Sequence, residues 1–162
     1  MLTVEEIVNI LGLMPLAREG GMFRQTWRAK DGPDGHPLGT AIYYLLRPES
    51  YSHLHRLPTD EIYHFYLGDP VELYLFYPDG KSETVVLGGD LAAGQRPQAV
   101  APGGSWQGSR LQPGGRYALL GTTMAPGFTP TDYEHALDVD TLKVMYPDMA
   151  AVIDAITGNL VY

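Results

Sequence analysis

The chain has no cysteine, which excludes disulfides and thiolate metal sites and leaves His, Asp, Glu and Gln as the candidate ligands. Basic residues are sparse: 11 Lys and Arg stand against 19 Asp and Glu, for a formal net charge of −8. They are scattered rather than clustered, so neither a nucleic-acid surface nor an anionic-membrane surface is expected. No apolar run approaches the roughly 20 residues that span a bilayer. The opening Met1-Leu2-Thr3-Val4-Glu5-Glu6 has no basic segment followed by an apolar one, so a cytoplasmic protein is expected. At 162 residues the chain reads as a single domain, 1–162, large enough to bury its own core. What it has in quantity is turn formers, 19 Gly and 13 Pro, lying between aromatic and β-branched runs. That distribution marks many turns in an all-β domain rather than disorder.

Thr3-Val4-Glu5-Glu6 is a capping-box signal, and Val4, Ile7, Val8 and Leu11 follow at helical spacing until Gly12. A strand over 22–28 is predicted to put Phe23, Gln25 and Trp27 on one face and Arg24, Thr26 and Arg28 on the other. His36 falls in a Gly/Pro loop and is expected to be solvated. Residues 39–46 are apolar on both faces, as in a central strand, whose inward face the alternation leaves open. Val71 to Tyr77 and Ser82 to Leu87, joined by Pro78-Asp79-Gly80, give a strong hairpin signal. Short strands are predicted over 98–101 and 117–123, and the tail turns helical over 138–146 and 148–157 with Pro147 between. Eight or nine short strands separated by turns argue for a sandwich or barrel.

The stretch from Tyr51 to Gly68 concentrates the groups able to do chemistry. Strand alternation puts Tyr51, His53 and His55 on one face, and Glu61, Tyr63, Phe65 and Leu67 on one face of the next run, with 57–60 as the reversal. If the two strands pair as a hairpin with those faces inward, two imidazoles and a carboxylate meet in an aromatic-lined cavity, a ligand set suited to a divalent metal. His64 has the opposite parity and is expected on the outer face, at a subunit contact, and Arg56 is also expected to face away from the cavity.

His53-x-His55, Glu61 and Gly68 resemble the first motif of the cupin superfamily, although five residues separate His55 from Glu61 where the usual motif has three or four. Pro102-Gly103-Gly104-Ser105-Trp106-Gln107 resembles the second motif, with Gln107 where a histidine ligand would stand. Glu19-Gly20-Gly21, Asp60-Glu61, Gly68-Asp69-Pro70, Tyr77-Pro78-Asp79-Gly80 and Ala125-Pro126-Gly127-Phe128 extend the resemblance, in order, to one cupin subfamily of unknown function. Its folds are dimeric jelly rolls related in shape to dTDP-sugar epimerases. The resemblance implies an all-β cupin double-stranded β-helix, a jelly-roll barrel with a short N-terminal helix and C-terminal helices, forming a homodimer.

It also implies a divalent metal on His53, His55 and Glu61 with Gln107 assisting, and a small polar, carbohydrate-like metabolite in the barrel. Catalysis would be isomerisation or epimerisation, with His55 and Glu61 handling the proton and Tyr44 or the metal steadying an enolate. Tyr63, Phe65 and Trp106 would line the ligand's cavity, since tyrosines and other aromatics suit stacking on a sugar or planar ligand. The reading from another class is a binding module that senses a ligand without turning it over.

Overall fold

A computed structural model describes residues 2–159. Met1 and residues 160–162, the ends of the expected domain 1–162, lie outside them. The described strands, in chain order, are β1 (Met14–Pro15), β2 (Met22–Arg28), β3 (Thr40–Leu46), β4 (Tyr51–Arg56), β5 (Glu61–Gly68) and β6 (Val71–Phe76), then β7 (Ser82–Leu87), β8 (Gln98–Ala101), β9 (Trp106–Leu111), β10 (Ala118–Met124) and β11 (Glu134–His135). They form two antiparallel sheets, one of order β1-β2-β3-β10-β5-β8 and one of order β11-β4-β9-β6-β7. The chain passes repeatedly from one sheet to the other, as a jelly roll does. The expected hairpin of β4 with β5 is therefore not formed. β4 pairs with β9 and β11, while β5 pairs with β10 and β8.

Residues 57–60 make a corner between the sheets, and the Pro102-Gly103-Gly104 turn fastens it. The Gly103 amide donates to Asp60 Oδ1 at 2.8 Å and the Gly104 amide to the Leu57 carbonyl at 2.8 Å. A Cβ on Gly103 would stand 2.5 Å from the Pro58 carbonyl oxygen, so only glycine allows the approach.

The main core lies between the sheets, with Leu46, Val71, Leu73, Leu87 and Leu120 at its centre. The β6–β7 hairpin takes the predicted form, its turn closed by the Gly80 amide on the Tyr77 carbonyl at 3.0 Å. α1 (Val4–Leu11) carries the predicted capping box and ends on left-handed Gly12. It buries Ile7 with Leu13, Leu45 and Leu119 on the outer face of the six-stranded sheet. α2 (Val139–Met145) and α3 (Ala150–Ala155) cover the outer face of the other sheet, where Leu142 and Ile153 pack on Leu54, Tyr74 and Phe76. β9, whose Gln-Gly-Ser-Arg composition gives no strand signal, is a central strand of that sheet. No helix among the described residues is long and apolar enough to cross a membrane.

Three irregularities decide which side chains face inward. The β2–β3 register shifts between Gln25 and Trp27, so Trp27 leaves the face of Phe23 and Gln25, and Arg28 joins it. A second shift lies between Ser52 and His55 on β4, and a third falls opposite Leu119 and Leu120, at Tyr66 on β5. Strict alternation cannot foresee these, because a bulge moves every later side chain to the other face.

Candidate functional site

One end of the space between the sheets is packed with hydrocarbon, and the other opens as a cavity of about 430 Å³. Its apolar wall includes Leu16, Phe23, Ile42, Met124 and Phe128, and its polar lining includes Glu19, Glu61, Thr122 and Tyr133.

Glu61 opens β5 and is only 7% exposed. Gln107, on β9 of the opposite sheet, donates Nε2 to Glu61 Oε2 at 2.8 Å, and the Thr122 and Tyr63 hydroxyls lie near the carboxyl group. Burial pushes the Glu61 carboxyl above its ordinary range and the nearby Glu19 charge pushes further, while His55, Thr122 and Gln107 pull it back. His55, directly opposite Gln107 in the β4–β9 register, is 1% exposed. Its Nδ1 lies 2.7 Å from the His53 carbonyl, which can only accept, so the proton sits on Nδ1 and Nε2 keeps its lone pair. Burial lowers the His55 pKa, with Glu61 opposing, and the ring is neutral near pH 7. It stacks on Tyr133 with centroids 5.1 Å apart.

Glu19 reaches this site from the turn before β2. Arg18 is left-handed at φ 72, and Gly20 and Gly21 have φ of 98 and 70. A Cβ on Gly21 would meet the Tyr44 ring and hydroxyl at 2.9 Å, and the Tyr44 hydroxyl donates to the Gly20 carbonyl at 3.0 Å. The two glycines let the turn lie flat on Tyr44 and bring Glu19 over the sheet, where Ser52 Oγ donates to Oε1 at 2.8 Å. Burial raises the Glu19 pKa from 4.5 to about 7. Tyr133, from the segment before β11, donates its hydroxyl to the Arg18 carbonyl at 2.9 Å, and the Arg18 guanidinium lies over its ring.

The structure thus brings His55, Gln107 and Glu61 together across the sheets, but not the rest of the predicted set. His53 lies on the β4 bulge, where its amide donates to the Glu19 carbonyl at 2.7 Å and its ring stacks on His135 at 3.8 Å. Among the described residues no three His, Asp or Glu side chains are placed to hold one metal ion. The expected ligand set of His53, His55, Glu61 and Gln107 does not fit, because the bulge takes His53 away and the Gln107 amide faces Glu61 with its donor nitrogen.

Trp106, expected in the cavity, faces the opposite way. It packs with the helices, lies under the Arg56 guanidinium at 4.7 Å and lines a separate hollow with Glu134 and Met145. Tyr63 and Phe65 point inward but belong to the packed core, and the cavity's aromatics are Phe23, Phe128 and Tyr133. Tyr44 is buried beneath the Glu19 turn, its hydroxyl proton spent on Gly20. His64 lies on the outer face and pairs with Thr123 at 3.1 Å, and Arg56 pairs with Glu134 at 2.9 Å. His36 is not free in solvent as expected: its Nε2 lies 3.2 Å from Asp132.

Glu19, Ser52, Thr122 and Tyr133 are the site residues that motif spacing missed. The one signal for Glu19 was an acid directly before two glycines.

A family profile described as Cupin superfamily (DUF985) matches residues 5–136. The uncharacterized protein YML079W of Saccharomyces cerevisiae is 30% identical, over 92% of this chain and 83% of its own length. Among solved structures, protein SO0799 from Shewanella oneidensis superposes with a TM-score of 0.89 at 36% identity, covering 98% of this chain and 99% of that one. A hypothetical protein from Leishmania major gives 0.87 at 30% identity, covering 98% and 100%. A Bacillus subtilis oxalate decarboxylase gives 0.57 at 13% identity over 90% of this chain and 37% of its own, a likeness of fold alone. With the two facing sheets and a matched profile over most of its length, the chain belongs to the cupin superfamily, in the family DUF985.

Proposed function

We propose that the chain binds a small polar metabolite in the cavity between its sheets and moves a proton on it, as an isomerase or epimerase. The observation that carries this reading is the pair Glu19 and Glu61, two carboxyl groups facing one largely apolar cavity and both held above their ordinary pKa. A carboxyl group held above its ordinary pKa is a stronger base when ionised and a readier proton store than a surface carboxylate. In this reading Glu61 takes a proton from the carbon next to a carbonyl. Glu19, in its protonated form, donates a hydrogen bond to the carbonyl oxygen as charge develops there, and return of the proton to the other face or the adjacent carbon completes the reaction. His55, behind Glu61, opposes the rise of the carboxyl pKa to the extent that its ring takes up a proton. No step passes through a metal. A stoichiometric metal in protein purified without chelator or a nickel column, lost in Glu61→Ala, would restore one to the scheme.

One observation favours the second reading, a sensor that binds without turnover: His55 and Tyr44, the predicted proton handler and enolate support, are each 1% exposed and lie beneath the cavity rather than on its wall. Incubation with a panel of nucleotide sugars and keto acids in deuterated water distinguishes the two. Deuterium entering a substrate with wild type and falling at least 100-fold with Glu61→Gln supports the enzyme. A ligand that binds without exchange supports the sensor.

The lack of cysteine suits a reducing, cytoplasmic setting. A homodimer formed through the uncovered outer face of the six-stranded sheet completes the proposal. That face carries Trp27, Tyr43, Tyr66, Leu67 and Val100, with Trp27 52% and Tyr66 50% exposed. The patch is largely apolar on a chain of net charge −8, with Arg24, opposite Tyr43, turned to the Leu11 carbonyl, and so suits a two-fold contact in which a patch meets itself.

A further inference from the structure

We infer that the ligand of this cavity is an organic ammonium ion, an amine with a compact apolar body whose charged nitrogen sits between Glu19 and Glu61. The inference rests on the cavity being a ligand site, not on the proton-transfer steps proposed above, which need Glu19 protonated; an ammonium ion held by both carboxylates belongs with the reading of a protein that binds without turnover.

Most polar groups beneath the cavity have spent their donors, the Ser109 hydroxyl opposite Ser52 on β9 being buried without a partner. Ser52 donates to Glu19, Tyr44 to the Gly20 carbonyl, and His55 gives its one proton to the His53 carbonyl. What remains, once the two carboxyl groups on the cavity wall are ionised, is their free lone pairs, and behind them His55 Nε2 and Gln107 Oε1, which is buried with no partner although its amide nitrogen is bound to Glu61. An unpartnered buried acceptor is destabilising, so a site holding one beside two carboxyl groups calls for a ligand rich in donors.

The charge balance points the same way. Arg28 reaches the cavity wall, but its guanidinium is paired with Asp31. Arg18 is turned onto the Tyr133 ring and donates to the Tyr133 carbonyl, and His55 is neutral. Two carboxyl groups in an apolar enclosure without a protein cation are poorly compensated.

A metal ion would also satisfy acceptors, but it needs ligands converging at about 2.0–2.6 Å, and three such side chains do not converge among the described residues. An ammonium group reaches acceptors at about 2.7–2.9 Å through three N–H bonds, so it bridges a wider arrangement. The remaining wall fits the rest of such a molecule: Phe23, Phe128 and Tyr133 offer aromatic surface to a cation, and Leu16, Ile42 and Met124 accommodate an apolar body.

Three ligands that share one body and differ only in head group test this on the full chain: cyclohexylamine, cyclohexanol and cyclohexanecarboxylate, titrated near pH 8 by calorimetry and by NMR of the cavity aromatics. The amine is expected to bind at least tenfold more tightly than the alcohol, and the carboxylate not to bind. Amine binding should release protons, giving a heat that varies with the ionisation enthalpy of the buffer. The Glu19→Gln, Glu61→Gln double variant should hold the amine no better than the alcohol, while an unchanged circular dichroism spectrum and cooperative unfolding report an intact fold. The comparison on wild type alone already decides the matter if the variant does not fold. Alcohol or carboxylate binding as tightly as the amine, with Phe23 and Phe128 resonances shifted, overturns the ammonium assignment and leaves the ligand site standing. No shift with any of the three overturns both. A zinc or manganese titration that displaces the amine at one equivalent assigns the acceptors to a metal and also overturns it.

Discussion

Glu19 shows how a single side chain can record its surroundings in the pH dependence of the whole fold. Its folded pKa is raised from 4.5 to about 7 by burial, so between those values the native chain holds a proton that the unfolded chain has lost. Stability from this group is therefore present below about pH 4.5, falls as pH rises, and stays reduced above about pH 7. Glu19→Gln keeps an acceptor for Ser52 but cannot ionise. It is expected to match wild type near pH 4.5 and to exceed it by about 1–3 kcal/mol at pH 8, measured by urea unfolding at both pH values. An unchanged difference across that range would show that Glu19 ionises as it does in water. At this scale motif spacing singled out His55 and Glu61, yet not Glu19, whose neighbours at the site are far along the chain. Its delivery depends on the left-handed Gly21 packed under Tyr44.

Elements were legible where the signal is local. The capping box of α1, the Pro-Asp-Gly turn between β6 and β7, and the break at Pro147 each depend on residues a few positions apart, and each stands where the sequence put it. Pairing was not local. The 57–60 corner has the composition of a hairpin turn, but β4 and β5 separate because β9 and β10 claim their edges. The register shifts at Thr26 and at 53–54 then turned Trp27 and His53 away from the faces that alternation assigned them.

The corner gives a prediction at the same scale. Gly103→Ala forces a methyl to within 2.5 Å of the Pro58 carbonyl and 2.9 Å of the Thr59 Cα, both backbone atoms with little room to yield. The expected cost is about 1–3 kcal/mol by denaturant titration. Because the turn also fixes Asp60, next to Glu61, the variant is expected to weaken ligand binding in the cavity as well. Gly80→Ala, whose added Cβ meets nothing within 4 Å, separates the two effects: it pays only for its φ of 86 in a turn remote from the corner and should leave binding unchanged.

For the molecule as a whole, the two sheet exteriors are treated differently. Helices α2 and α3 cover the five-stranded sheet, whereas α1 covers only one end of the six-stranded sheet, leaving Tyr66 lying across Gly121 beside Tyr43 and His64. Tyr66→Lys places a charge on that patch and, across a two-fold contact, opposes it to its own copy. Light scattering is expected to show a dimer for wild type and a monomer for the variant, with the thermal unfolding of the variant then independent of protein concentration. A wild-type monomer at micromolar concentration would remove the proposed interface.

By itself the sequence determined the class of fold, the number and kind of most elements, the turns that punctuate them and the acid and imidazole around which the site is built. These follow from short-range chemistry: alternation, capping, turn residues and the bar to helix at proline. Only the tertiary structure decided that His55 and Glu61 meet from opposite sheets, that His53 and Trp106 do not join them, and that Glu19 does. Those outcomes rest on strand partners and bulges set by packing between distant segments, for which no window of the chain carries a signal.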